Sequence, residues 1–278
     1  MLEKMHENKK YVKTIAVASG KGGVGKTNIV ANLAIAMKML GNEVLIMDAD
    51  LGLSSIDVLL NLAPRYNIQH VIKGYKRLKD VILEGPRGIK IIPASSGIQE
   101  LTFLNEFQRL RILEEFNSLT SDTDVLIIDT APGISENVAF FCIAAQQIVI
   151  VTSQEPTAMT DAYALIKVLF TKYQEKEFFI IVNSVKNHKE GLEVFRRLSL
   201  ASEKFLNVSL DYLGYIPCDT VVPEAVKAQK TFVDIYPDSL ASRQVFEIAS
   251  KVLNSNNRVK GTLQFFIGNL ISGPHNLR

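Results

Sequence analysis

The chain has 278 residues, 47% hydrophobic and 22% charged, a balance that suits a soluble globular protein of one large domain or two small ones. Its 31 Lys and Arg nearly match its 29 Asp and Glu, and a net charge of +2 gives no strong electrostatic case for a nucleic-acid polymer as the main partner. Cys142 and Cys218 form no C-x-x-C pair, which speaks against a disulfide framework or thiolate metal site and fits a reducing cytoplasm; His6, His70, His188 and His275 show no ligand spacing.

In chain order, MLEKMHENKKYVK lacks the apolar core of a signal peptide and reads as a solvated extension over residues 1–12. Short apolar, β-branched runs then recur: TIAVAS (14–19), VLIMD (44–48), IKIIPA (89–94), DVLIID (124–129), QIVIVT (147–152), FFIIVN (178–183) and YLGYIP (212–217). They are apolar nearly throughout, as strands covered on both faces by helices should be. Helical stripes fall between them, with Ile29, Leu33, Ala36, Met37 and Leu40 ahead of Gly41, Ala162, Leu165, Ile166 and Leu169 after Pro156, and Leu240, Phe246, Ala249 and Leu253 after Ser239. The alternation predicts one doubly wound α/β domain, a mostly parallel sheet with helices on both faces, over residues 13–253.

Between the first strand and the first helix lies GKGGVGKT, residues 20–27, a match to the phosphate-cradling loop G-x-x-x-x-G-K-[ST] in the strand-loop-helix context that the motif requires. Gly20, Gly22, Gly23 and Gly25 let backbone N–H groups around Val24 turn toward phosphate oxygens, and the helix opening at Lys26, Thr27 and Asn28 adds its positive dipole end. Lys26 is expected on the β and γ phosphates of ATP and Thr27 on Mg²⁺. Ligands of open parallel sheets bind beyond the carboxyl ends of the strands, where the polar residues are Asp48, Asp50, Asp129, Asn183 and the segment Pro217-Cys218-Asp219. Asp129, closing an apolar strand, has the position of the carboxylate that holds Mg²⁺ in P-loop enzymes. A strand-end Asp can also cap the next helix, the lesser reading beside a phosphate loop. Lys21 is a second lysine that the basic motif does not need.

KGGVGKT, MDADLGLSSIDVLL, LIIDTAPGI and GYIPCD together resemble the deviant Walker A ATPases, the group that includes MinD and ParA. PASSGIQEL (93–101) and EPTAMTDAYALIK (155–167) are similar to its branch of flagellar number and placement regulators, called FlhG, FleN or YlxH. The resemblance implies that Lys21 reaches across a homodimer interface to the ATP of the other subunit, and that Asp50 orients the attacking water. It also implies that Asp48 supports the metal shell, that residues 52–57 form a switch, and that Asn183, Pro217 and Asp219 contact adenine. It further implies as partners the flagellar GTPase FlhF and proteins of the flagellar switch complex or of transcriptional control, with DNA not expected. Branch members often carry D-Q-A-x-x-L-R before the phosphate loop; MLEKMHENKKYVK does not. The rival readings are a ParA-type partition ATPase, a MinD-like division-site regulator, an iron-sulfur carrier and a nucleotide-binding scaffold without catalysis.

After a polar linker from residue 254, TLQFFIGNLIS places Leu263, Phe266, Ile267, Leu270 and Ile271 on one helical face. At about 1.5 Å per residue the segment is half the length that spanning requires. It could lie on the inner face of the cell membrane, as MinD-type tails do by resemblance, or pack on the domain itself. Phe265, off that stripe, adds aromatic weight to the membrane reading.

Overall fold

In the computed structural model the described residues are 12–51, 55–94, 104–117, 119, 122–255 and 265. The strands are β1 (Lys13–Ala18), β2 (Val44–Ala49), β3 (Leu83–Glu84), β4 (Lys90–Ile92), β5 (Val125–Thr130), β6 (Gln147–Ser153), β7 (Phe178–Val185) and β8 (Leu210–Pro217). The helices are α1 (Lys26–Met39), α2 (Ile56–Leu59), α3 (Ile68–Ile72), α4 (Glu106–Asn117), α5 (Glu136–Ala144), α6 (Pro156–Tyr173), α7 (His188–Leu206), α8 (Val221–Lys227), α9 (Phe232–Ile235) and α10 (Leu240–Asn254). One sheet runs in the order β3-β4-β2-β5-β1-β6-β7-β8, parallel except for the β3–β4 edge pair.

The seven apolar runs are the seven parallel strands, and the reason they do not alternate is visible in the packing. Ile15 and Val17 face a core completed by α1 and α10, while Ala16 and Ala18 face one completed by α5 and α6. Both pleats of a central strand are therefore buried and both must be apolar. β3 went unread because a half-buried leucine and an exposed glutamate leave no apolar run to detect.

The central order sets the site. β1 lies between β5 and β6, so chain order reverses there, and the loop after β1 opens into the crevice that this reversal creates. Register places Asp48 directly beside Asp129, and Ser153 beside Asn183.

At the other end of the strands Lys13 closes the last helix. Its Nζ donates to the carbonyls of Val252 (2.6 Å), Leu253 (2.8 Å) and Ser255 (2.8 Å), and Gln147 Nε2 donates to Ser255 Oγ (2.7 Å). A cation on the last carbonyls completes a helix that has no further turn to accept for it. Burial lowers the Lys13 ammonium to about 8. α10 thus runs through Asn254, the first residue that the sequence reading gives to the linker, and Ser255 is tied to the domain.

Leu263, Phe266, Ile267, Leu270 and Ile271 lie outside the described residues. Phe265 does not, and here the sequence reading needs correcting. Its ring is fully buried, edge-on to Phe116 with centroids 4.8 Å apart and stacked on Phe141 at 6.4 Å, while its N–H donates to Ala144 O (3.1 Å). The aromatic counted toward a membrane is a core residue beneath α4 and α5. Among the described residues no helix is long and apolar enough to cross a membrane.

Candidate nucleotide site

The phosphate loop leaves β1 through Ser19, whose carbonyl accepts from Gly133 N–H (2.9 Å) and whose hydroxyl donates to Lys21 O (3.0 Å). Gly20 passes against α6 so closely that a Cβ there would sit 2.1 Å from the Asp161 carbonyl carbon. Gly25, at φ +86°, is the cap of α1 and supplies no side chain to the first helical N–H groups. Those donors face the cavity, the arrangement that binds phosphate. A Cβ on Gly25 would lie 2.3 Å from Asn183 Nδ2, which donates to Val24 O (2.7 Å). Asn183, expected near adenine, is seen here bracing the loop from β7.

Ser19, Gly22, Gly23, Gly25, Lys26, Thr27, Asn28, Asp50, Ser55 and Pro132 line a cavity of about 350 Å³. Lys26 is buried and pairs with Asp129 Oδ1. Asp129 Oδ2 is equally buried and has no hydrogen-bond partner among the described residues. A buried carboxylate oxygen left unsatisfied costs free energy unless something fills it, and at this position a hydrated Mg²⁺ fits. Thr27 Oγ1 stands 3.3 Å from Ser55 Oγ, which brings a second hydroxyl to the same spot. Mg²⁺ keeps waters and takes oxygens from substrate phosphates, so it needs few ligands from the protein.

Asp48 does something the sequence did not disclose. Its Oδ1 accepts from Asp50 N–H (3.1 Å) and its Oδ2 from the N–H groups of Ser55 (3.0 Å) and Ile56 (3.2 Å). The fully buried carboxyl therefore organises the turn that carries Asp50 and Ser55 to the cavity. Burial, then the Asp129 carboxylate beside it, push the Asp48 carboxyl up to about 7, against the pull of those three donors. Pro217 closes β8. Asp219 beyond it accepts from Val221 N–H (3.2 Å) and Ala241 N–H (3.4 Å), joining the starts of α8 and α10.

Lys21 is not among the cavity-lining residues. Its Nζ donates to Glu155 Oε2 (2.6 Å) and Thr157 Oγ1 (2.9 Å) at the start of α6. Neither partner was given a role from sequence, although Glu155 sits just past an apolar strand and just before a helix-opening proline, the kind of strand-end position that does point to the crevice.

The ParA family model, described as NUBPL iron-transfer P-loop NTPase, matches residues 10–253. The chain belongs to the MinD/ParA family of P-loop NTPases. Among curated proteins, this family member is 42% identical to the antiactivator FleN of Pseudomonas aeruginosa over 95% of each chain. It is 35% identical to the flagellum site-determining protein YlxH of Helicobacter pylori, over 89% of this chain and 84% of that one. Among solved structures it superposes on the septum site-determining protein MinD of Pyrococcus horikoshii, complexed with Mg-ADP, with a TM-score of 0.71, 24% identity and coverage of 87% and 96%. The expectations of family, branch and doubly wound fold hold.

Proposed function

We propose that this MinD/ParA-family protein is an ATP-dependent dimerising ATPase that sets flagellar number or placement and attaches to the inner membrane surface when paired. The observation that carries the reading is the division of labour between its two loop lysines. Lys26 is buried at the cavity with Asp129, while Lys21 is held clear of it. A loop that keeps one cation for its own nucleotide and one outside has the parts for completing a neighbour's site. The 42% identity to FleN and the name of YlxH support the flagellar assignment.

In this reading the loop N–H groups and Lys26 bind the β and γ phosphates of ATP, and Thr27 and Asp129 hold Mg²⁺. The metal, when bound, neutralises phosphate charge and orients the γ-phosphoryl group. Asp50, placed by Asp48, orients the attacking water. Asn183 and the 217–219 segment border the adenine. Lys21 of the partner supplies the last positive charge to the phosphoryl group in flight, an effect worth about 10³-fold or more in rate. Hydrolysis then ends the pairing.

Burial of Phe265 against α4 and α5 opposes release of the tail from the domain by about 1.5–3 kcal/mol. Two tails on one dimer raise avidity by about 10²-fold or more, so the paired form should attach more strongly than the single subunit. Flagellar GTPase and switch-complex partners follow from the branch.

Size-exclusion chromatography with ATP, ADP or no nucleotide tests the core of the reading. Wild type should pair transiently with ATP, and Asp50→Ala should accumulate as a dimer. A variant that stays monomeric at saturating ATP contradicts it. Co-sedimentation with anionic vesicles tests the tail, because equal binding with ATP and ADP removes the switch.

A further inference from the structure

Behind the phosphate loop, α1 buries a polar residue, Asn32, that has no part in the site as described so far. It stands between the cavity and α9. On one side its Oδ1 accepts from Val233 N–H (2.9 Å). Val233 lies in the first turn of α9, and Thr231, the residue placed to cap that turn, makes no side-chain cap hydrogen bond. Asn32 therefore supplies the missing acceptor from another helix. On the other side its Nδ2 donates to Asn28 O (2.8 Å) and Asn28 Oδ1 (2.7 Å), one turn back along α1.

The two ends of a side-chain amide have the same shape and opposite chemistry, so only a partner that cannot reverse its role fixes which way each one points. Val233 is such a partner. A backbone N–H only donates, so Asn32 must meet it with oxygen and turn its NH₂ toward Asn28. That NH₂ in turn needs an acceptor, and Asn28 must point its own oxygen inward. The polar group left over on Asn28 is Nδ2, with two protons to donate. Asn28 lines the cavity, and no described residue accepts from its Nδ2. A run of hydrogen bonds that starts at the α9 backbone thus ends as a donor at the nucleotide site.

We propose that Asn32 is a positioning residue: held by α9, it fixes the Asn28 amide with Nδ2 presented to a phosphate oxygen that ATP and ADP share. The inference rests on the reading of the cavity as a nucleotide site. In that reading Lys26, Thr27 and Asp50 serve the β and γ end, and Asn28, one residue further into α1, serves the part of the chain that remains after hydrolysis. An amide free to turn would meet the phosphate with either end, and its oxygen would repel the anion. Fixing it beforehand removes the wrong orientation and the cost of ordering the side chain on binding. A hydrogen bond to a charged oxygen is worth about 10- to 150-fold in affinity.

The test is calorimetric titration of the full chain with Mg-ADP and with a non-hydrolysable Mg-ATP analogue, alongside urea unfolding of each variant. Asn28→Ala should weaken both nucleotides equally, by about 10-fold or more. Asn32→Ala should weaken both by about 2- to 10-fold, the cost of ordering the Asn28 side chain on binding. In the double variant that second loss should vanish, leaving the affinity of Asn28→Ala alone, while the stability lost by uncapping α9 remains. Asn32→Asp is a second probe, since its carboxylate keeps an acceptor for Val233 but has no donor for Asn28. It should weaken both nucleotides at least as much as Asn32→Ala, and by less in the Asn28→Ala background. Losses from the Asn32 variants that persist in full in the double variants mark a structural effect and overturn the inference. So does a loss in Asn28→Ala confined to the triphosphate. Wild type that binds neither nucleotide removes the nucleotide site itself; wild type that binds both, with Asn32 variants of equal Kd, leaves the site standing and only the role of Asn32 falls.

Discussion

The two ends of the sheet each bury a lysine, and the surroundings of the two differ in one respect. At the amino end Lys13 spends its donors on three carbonyls of the α10 terminus. At the carboxyl end, among the described residues, Lys26 meets one oxygen of Asp129, whose other oxygen has no partner, beside helix N–H groups that no side chain caps. A buried charge with a complete partner set belongs to the architecture. One with unmet capacity around it marks the place where something from outside is to bind.

That contrast can be broken by substitution. The largest effect expected is at the open end, where Lys26→Ala should reduce ATP turnover by about 10³-fold or more, read as phosphate release at saturating nucleotide. Near-normal turnover would remove the chemical meaning of the unfilled capacity. Phe265→Ala should cost on the order of 3 kcal/mol in urea unfolding and increase vesicle binding in the absence of nucleotide, since less holds the tail to α4 and α5. Lys13→Met should cost about 2 kcal/mol by stripping the α10 carbonyls of their donor, and should leave the nucleotide Kd unchanged. A changed Kd would mean that the two ends are coupled through the sheet.

A separate test is a pH dependence. Asp48 has its carboxyl raised to about 7 in the fold against an ordinary value near 4. The folded state therefore binds more protons than the unfolded chain between those limits, and the contribution of Asp48 to stability declines as pH rises from about 4 through about 7. Asp48→Asn has no such titration. The stability difference between wild type and Asp48→Asn, measured by urea unfolding without nucleotide, should move against wild type as pH increases across that window. A constant difference would show that Asp48 titrates as it does in the unfolded chain.

Much of the site was legible because the phosphate loop is a local structure. Its glycines, its lysine and the helix behind it follow one another in sequence, and backbone geometry alone makes them a cradle. Asp129 and Asn183 were legible for a related reason, since an apolar run that ends in a polar residue places that residue at the strand's carboxyl end. The double burial that makes β1, β2, β5 and β6 apolar nearly throughout also wrote the sheet plainly. Other features carried no such mark. The two-residue β3 is too short to have a period.

What the sequence determined by itself was the fold class, the family and the position of the phosphate loop, because each rests on neighbours along the chain or on an apolar period. Tertiary structure alone decided which residues keep company across it: Asp48 with the turn of Ser55, Lys13 with the end of α10, Phe265 with Phe116 and Phe141, Lys21 with Glu155. A carboxylate, an ammonium or an aromatic ring has the same chemistry wherever it stands in the chain. Its partner is set by how strands and helices pack, and with the partner its role as cap or core.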